Sequence, residues 1–292
     1  MRRAVLIYNP KSGRRSWRRL VPAVLADLGA GGFEVEPRET AGPGDATRLA
    51  REAAAGDVEV AFAMGGDGTL REVAAGLLGS RVALGPLPAG TANVLPLALG
   101  LPRRAAAAAR VLPRCEAQAI DVGTVGSEPF LMGATGGLDA AVMSWQDGEL
   151  KKLLGRGALV GATFRQWWSY DYPTIELRVD GRRERVSYFA ACNIPYYGGG
   201  VRMAPEADFR DGLLDLVLFR GSGRLETLAL GRDLLLGRHL RRSDVELRRV
   251  EEIELLGPPG VRMQLDGDLP VVEPPVRIGV AEEKLWVLMP AG

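Results

Sequence analysis

Val58-Glu59-Val60-Ala61-Phe62-Ala63-Met64 runs straight into Gly65-Gly66-Asp67-Gly68-Thr69, and a helix-forming stretch follows to residue 78. The apolar run reads as a strand covered on both faces, which is the habit of a parallel sheet. The glycines that follow let the backbone approach a phosphate without Cβ clashes. The exposed N–H groups of the helix start favour an anion. Asp67 is unusual there, because a carboxylate beside a phosphate repels it unless a metal or a proton transfer compensates. It is a candidate for organising Mg²⁺ or orienting a hydroxyl. The plainer reading is a turn in which Asp67 caps the helix.

The flanking sequence repeats the alternation. Residues 4–8 and 33–38 read as strands, with helices near 20–28 and 44–55. A strand at 82–84 and an Ala-rich helix at 103–112 complete the set. Strand–helix alternation predicts a three-layer α/β domain with a mostly parallel sheet over residues 1–120. Beyond residue 120 the texture changes. Candidate strands lie at 119–125, 130–135, 174–179, 186–194, 213–219, 245–255, 261–265 and 284–289, separated by turns such as Asp180-Gly181 and Asp266-Gly267. Helices are expected near 140–154, 159–169 and 225–235. Residues 121–292 therefore read as a second, mainly antiparallel β domain, its last strand free to return to the first, with a cleft between the two.

Composition narrows the chemistry. The 37 basic and 36 acidic residues nearly cancel, so binding to bulk nucleic acid is not expected. Two cysteines support neither a disulfide framework nor a four-thiolate zinc site. The single histidine, His239, leaves little room for a serine–histidine triad and is expected to be exposed. Acids and bases in this chain should be carboxylates. The first residues lack the apolar stretch of a signal peptide, and the uncharged window at 82–102 holds too many prolines and glycines to span a membrane. The expectation is a soluble protein of the cytoplasm, with peripheral contact at the inner membrane face left open.

Two further loops follow strands. Asn9-Pro10-Lys11-Ser12-Gly13 offers an amide, a hydroxyl and a glycine at the C-terminal end of the first strand, where ligands bind in such sheets. Pro88-Ala89-Gly90-Thr91-Ala92-Asn93 follows the fourth. Each alone is an ordinary turn, and together they put three small-residue loops on one sheet edge. Arg14, Arg15, Arg18 and Arg19 around Trp17 form a basic patch that suits phosphates or anionic headgroups, although a solvated helix face explains it as well. Residues 238–242 (RHLRR) suit a membrane-facing patch, or more simply the cations of a helix C-terminus. Trp167, Trp168, Tyr170 and Tyr172 suit a lipid pocket or a core cluster. Residues 196–200 (YYGGG) read as a flexible loop.

NPKSG, GGDGTLREV and PLPAGTANVLPLALGLP, in this order and spacing, resemble the catalytic domain of the diacylglycerol and sphingosine lipid kinases, most of all its soluble bacterial branch. GGDG alone is shared with NAD kinases and phosphofructokinases. DFRDGLLDL at 208–216 and QLDGD at 264–268 look like the family's downstream signatures. The resemblance implies an NAD-kinase-like first domain and an ATP- and Mg²⁺-dependent lipid kinase. Asn9, Ser12 and Gly13 would contact ATP phosphates. Thr40, Glu72 and Thr91 would contact the nucleotide, and Gly65, Gly66, Asp67, Gly68 and Thr69 would form its main loop. Asp208, Asp211 and Leu213 would hold a structural Mg²⁺, and Asp268 would accept the proton. The family usually has Glu there, one methylene longer, which leaves Asp266 and Asp67 as alternatives. The expected acceptor is a lipid hydroxyl of the diacylglycerol or sphingoid type, and a homodimer stays open. Two other functions compete: phosphorylation of a soluble acceptor such as NAD, and nucleotide or lipid binding without turnover.

Overall fold

The computed structural model of the chain describes residues 1–12, 17–138, 167–168 and 170–291. They divide into two compact units. The first is essentially Met1–Val122 with Ala281–Gly292, and the second is essentially Gly123–Tyr197 with Val201–Val280.

The first unit is built on one sheet. Strands β1 (Arg2–Tyr8), β2 (Phe33–Glu39), β3 (Val60–Gly65), β4 (Ala83–Pro88) and β5 (Glu116–Ile120) are joined by the chain's last strand, β19 (Leu285–Met289), in the order β2-β1-β3-β4-β19-β5. All neighbours are parallel except β19 with β5. Helices α1 (Trp17–Ala30), α2 (Asp45–Ala54), α3 (Asp67–Leu77), α4 (Val94–Ala98) and α5 (Ala105–Val111) connect them. Every residue of β3 and β4 is buried, which is why the sequence of β3 is apolar without alternation. β4 runs four residues past the expected strand and includes Pro86 and Pro88. Proline cannot donate to a ladder, and both lie beyond the point where β19 meets β4, at Val287 and Leu84.

The second unit is a sandwich of antiparallel sheets. One has the order β10-β9-β16-β18-β6-β7 and the other β15-β14-β11-β8-β17. The first comprises β6 (Gly123–Val125), β7 (Glu128–Phe130), β9 (Ile175–Val179), β10 (Arg182–Val186), β16 (Glu252–Gly257) and β18 (Val276–Val280). The second comprises β8 (Gly133–Gly136), β11 (Tyr188–Cys192), β14 (Leu214–Phe219), β15 (Val245–Val250) and β17 (Met263–Leu265). Phe130, Leu177 and Ile253 from one sheet meet Phe189, Leu216 and Leu265 from the other in a shared buried core.

Several sequence expectations are corrected here. The strand read at 119–125 is two strands, β5 and β6, in different units. Those read at 130–135 and 245–255 are each two strands lying in opposite sheets. Alternation identifies a strand but not the point at which the chain crosses from one layer to the next. β18 was not expected, because the prolines before it mask a five-residue run. Residues 196–200 are not simply a loop: β12 (Tyr196–Tyr197) pairs with β13 (Val201–Arg202). The helix read at 225–235 is α6 (Arg224–Leu235). The helices read at 140–154 and 159–169 lie outside the described residues, apart from Trp167 and Trp168.

His239 is buried rather than exposed. Its Nε2 lies 2.8 Å from Met203 O, so that nitrogen carries the donated hydrogen. Among the described residues no helix is long and apolar enough to cross a membrane.

Candidate functional site

The three loops of the first unit are bonded to one another. The amide of Asn9 donates to Met64 O at 3.1 Å, and those of Ala89 and Gly90 donate to Gly65 O at 2.8 and 3.0 Å. Loop one is an Asx turn, with Lys11 N–H on Asn9 Oδ1 at 2.9 Å and Ser12 N–H on Asn9 O at 3.1 Å. Asn9 Nδ2 reaches Thr69 Oγ1 at 3.5 Å. Loop three closes on itself: Asn93 Oδ1 accepts from Gly90 N–H at 3.0 Å, and Asn93 Nδ2 donates to Gly90 O at 2.9 Å. Loops two and three touch so closely that a Cβ on Gly90 would sit 2.5 Å from Gly66 Cα. A Cβ on Gly65 would strike the Thr69 side chain at the same distance. Glycine is required at both positions by space.

Gly66 caps α3, and α3 begins at Asp67. Its first-turn amides have no partner within the helix and form an anion-favouring end. The Asp67 carboxylate meets its own first-turn amide and also reaches another helix. Its Oδ1 accepts from the amides of Val94 at 2.8 Å and Leu95 at 3.3 Å, so it caps α4, 27 residues away. Burial raises its pKa above the usual value, and the backbone amides of residues 93–95 oppose that rise. Thr91 is exposed at the same edge, whereas Thr40 is buried with its amide on Tyr8 O at 3.0 Å. Glu72 has a structural partner of its own. Its Oε2 accepts from Ala46 N–H at 3.2 Å, at the start of α2. Gly13, Arg14 and Arg15 lie outside the described residues. Trp17 stacks on Tyr8, with ring centres 6.1 Å apart.

The second unit holds the other predicted acids. Residues 265–268 form a two-residue hairpin, with Leu265 and Asp268 exchanging backbone bonds of 2.8 and 2.9 Å. The central Asp266 and Gly267 have φ of 52° and 96°, as a type I′ turn requires. Asp266 turns its carboxylate back onto the chain, accepting from the amides of Leu131 (2.6 Å), Met132 (2.9 Å) and Gly133 (3.0 Å). Asn193, which the sequence reading did not single out, donates to Leu131 O at 2.9 Å. Gln264, read in the sequence only as the start of QLDGD and given no role there, adds two bonds. It accepts from Gly267 N–H at 2.6 Å and donates to Tyr197 OH at 2.8 Å. The carboxylate of Asp268 is exposed. Of the two acids in this turn, Asp266 holds three backbone amides and Asp268 is the more exposed.

Asp208 and Asp211 close successive turns. Asp208 Oδ1 accepts from Arg210 N–H at 3.2 Å and its guanidinium at 3.1 Å, and Asp211 Oδ1 accepts from Leu213 N–H at 3.0 Å. Two residues on, Asp215 is buried in β14, and its Oδ1 has no hydrogen-bond partner. Its nearest cation is Arg249 Nε at 3.8 Å. Burial, with the charges of Asp211 and Glu206, raises its pKa, and Arg249 opposes this. Asp215 was not selected from the sequence, although an acid inside the apolar run LDLVLF was the available signal. Among the described residues no three acidic, cysteine or histidine side chains come together as a metal cage. The orphaned Asp215 oxygen still suits a hard cation completed by main-chain oxygens and water.

The model of the diacylglycerol kinase catalytic domain matches residues 3–125, and that of the YegS C-terminal NAD kinase beta sandwich-like domain matches residues 134–289. The chain belongs to the diacylglycerol kinase family. The "Diacylglycerol kinase" of Bacillus subtilis (strain 168) is 30% identical over 273 residues, covering 92% of this chain and 90% of that protein. A Pseudomonas putida relative named "Probable lipid kinase YegS-like" is 32% identical over 295 residues, covering 100% of this chain and 96% of that protein. A solved diacylglycerol kinase structure from Bacillus anthracis str. Sterne superposes with a TM-score of 0.73 at 20% identity, covering 98% of this chain and 96% of that one, and bears on the fold alone. This family member is therefore a kinase; the second family model also takes in β19, which lies in the sheet of the first unit.

Proposed function

We propose that this kinase transfers the γ-phosphoryl group of ATP to the hydroxyl of a membrane lipid of the diacylglycerol or sphingoid type, with Mg²⁺. The observation that carries the reading is the bonded triad of loops, in which Asn9, Gly65, Gly66 and Gly90 pack around the start of α3. Backbone amides and small residues there suit a polyphosphate. Ser12, Gly13, Gly68 and Thr69 are assigned to the same phosphates, Thr40, Glu72 and Thr91 to the nucleotide. Asp67 fixes α4 against the loop and so positions it.

In the transfer step the lipid hydroxyl oxygen bonds to the γ-phosphorus, the bond from phosphorus to the ADP oxygen breaks, and the hydroxyl proton passes to a carboxylate. Asp268 is assigned that role on the resemblance of QLDGD to the family's signature, while Asp266 holds three amides and Asp67 Oδ1 two. Mg²⁺ supplies charge neutralisation when bound. Asp211, Asp215 and the Leu213 carbonyl are the residues that would hold a structural ion, whereas Asp208 is already paired with Arg210.

The test is incubation with labelled ATP, Mg²⁺ and either a mixed lipid extract or NAD. Label in a lipid that contains a free hydroxyl is the expected result. Label in NAD alone, or ATP binding with transfer to neither, would refute it.

A further inference from the structure

Helix α6 carries leucines on opposite sides. Leu230 and Leu234 pack on a buried cluster that includes Ala190, Val217 and Phe219. Leu225, Leu228, Leu235 and the capping Leu236 face solvent and are 57–77% exposed. At ~100° per residue these four fall within an arc of about 100°. Exposed single leucines mean little, but four on one face mark a contact surface.

The charges around this face are mainly positive. Arg224 is exposed at its start, and Arg238 and Arg241 are exposed just beyond its end. Arg232 lies within the arc and pairs with the buried Asp233. The acid exposed on the helix is Glu226. Trp168, itself 56% exposed, lies beneath the Arg224 guanidinium at 4.6 Å from its ring centre, and Trp167 Nε1 donates to Arg224 O at 3.1 Å. Apolar residues along a helix, an interfacial tryptophan and flanking arginines are the features of a segment lying in a lipid–water interface. A second copy of this chain fits less well, because pairing the two faces would bring their arginines together.

We propose that α6 is a docking face for the surface of an anionic phospholipid bilayer, its leucines at the acyl boundary and Arg224, Arg238 and Arg241 among the phosphates. The proposal deepens the lipid-acceptor reading and rests on it for its purpose, since the acceptor would reside in that bilayer.

The experiment uses the full chain and its L228E/L235E and R238E/R241E variants, in vesicles of phosphatidylglycerol or phosphatidylcholine. Wild type should sediment with phosphatidylglycerol vesicles at least tenfold more strongly than with phosphatidylcholine. L228E/L235E should lose at least tenfold in that binding, and R238E/R241E should lose the anionic preference. Both should phosphorylate a water-dispersed short-chain diacylglycerol at the wild-type rate, so failure of the lipid-kinase reading shows in that assay and not in sedimentation. Undiminished vesicle binding by L228E/L235E overturns the proposal. A wild-type dimer in light scattering that L228E/L235E dissociates overturns it too, since the face would then belong to a second copy.

Discussion

Gly90→Ala places a methyl group 2.5 Å from Gly66 Cα, 3.1 Å from Asn93 Oδ1 and 3.3 Å from Gly66 N. Carbon atoms pack best at roughly 3.5–4.0 Å, so loop three must retreat by about 1 Å. Gly66 cannot give way easily, because it caps α3 and its carbonyl accepts from Leu70 N–H at 3.1 Å. The retreat strains the bonds from Ala89 and Gly90 to Gly65 O and carries Asn93 and α4 with it. Overpacking of this kind costs ~1–3 kcal/mol. A displacement of about 1 Å in a positioned group costs on the order of 100-fold in rate. Urea unfolding and phosphoryl transfer to a short-chain diacylglycerol measure the two effects separately. Gly29→Ala, in α1 with no heavy atom within 4 Å, is the control. It should stabilise by roughly 0.4–1 kcal/mol with unchanged turnover. A Gly90→Ala protein as stable and as active as wild type would show that the contact between loops two and three does not hold the site.

Asp67→Ala removes the acceptor for two α4 amides and should cost ~1–2 kcal/mol in urea unfolding, whereas Asp67→Asn keeps an acceptor and should cost less than about 1 kcal/mol. Burial raises the Asp67 carboxyl above its usual value, so the native state holds that proton more tightly than the unfolded chain. Its contribution is then present below about pH 4 and is lost as pH rises through the native pKa. The stability of wild type relative to Asp67→Asn should fall over that range, and a flat difference would contradict the burial argument. Asp266→Ala should cost ~3 kcal/mol or more by stranding three amides, while Asp268→Ala should change stability by less than about 0.5 kcal/mol and abolish transfer. Mg²⁺ should raise the thermal midpoint of wild type reversibly with EDTA and leave Asp215→Asn unmoved. Equal shifts in both proteins would remove Asp215 from the ion site.

What the sequence made legible was local. The β3 run and its glycine loop could be read because both faces of a central strand demand apolar residues, and the close contacts of Gly65 with Thr69 and of Gly66 with Gly90 leave room only for small ones. The turn at 266–267 was legible for the same reason, since Asp-Gly suits two positive φ angles. Partnerships across the chain were hidden. Nothing near Asp67 signals a bond to Val94, and nothing near Asp266 signals the amides of residues 131–133, some 133 to 135 positions away. Burial of His239 was hidden likewise, because its neighbours Arg238 and Arg241 are exposed while its own ring turns inward to Met203.

These hidden partnerships change how the acids divide their work. A chain with one histidine must use carboxylates both as chemistry and as scaffold. Two of the three acids named from the sequence as candidate bases are spent on backbone amides. At Asp67 those bonds oppose the rise in pKa that burial imposes. They also fix the residues beside them: Asp67 ties α4 to the start of α3, and Asp266 and Gln264 together lock the hairpin that presents Asp268. A short acid on a rigid turn needs no long side chain to be well placed, because the turn supplies the position that a longer residue would otherwise reach by its own flexibility. The proposed role of Asp268 as base therefore requires Asp266 to hold the turn.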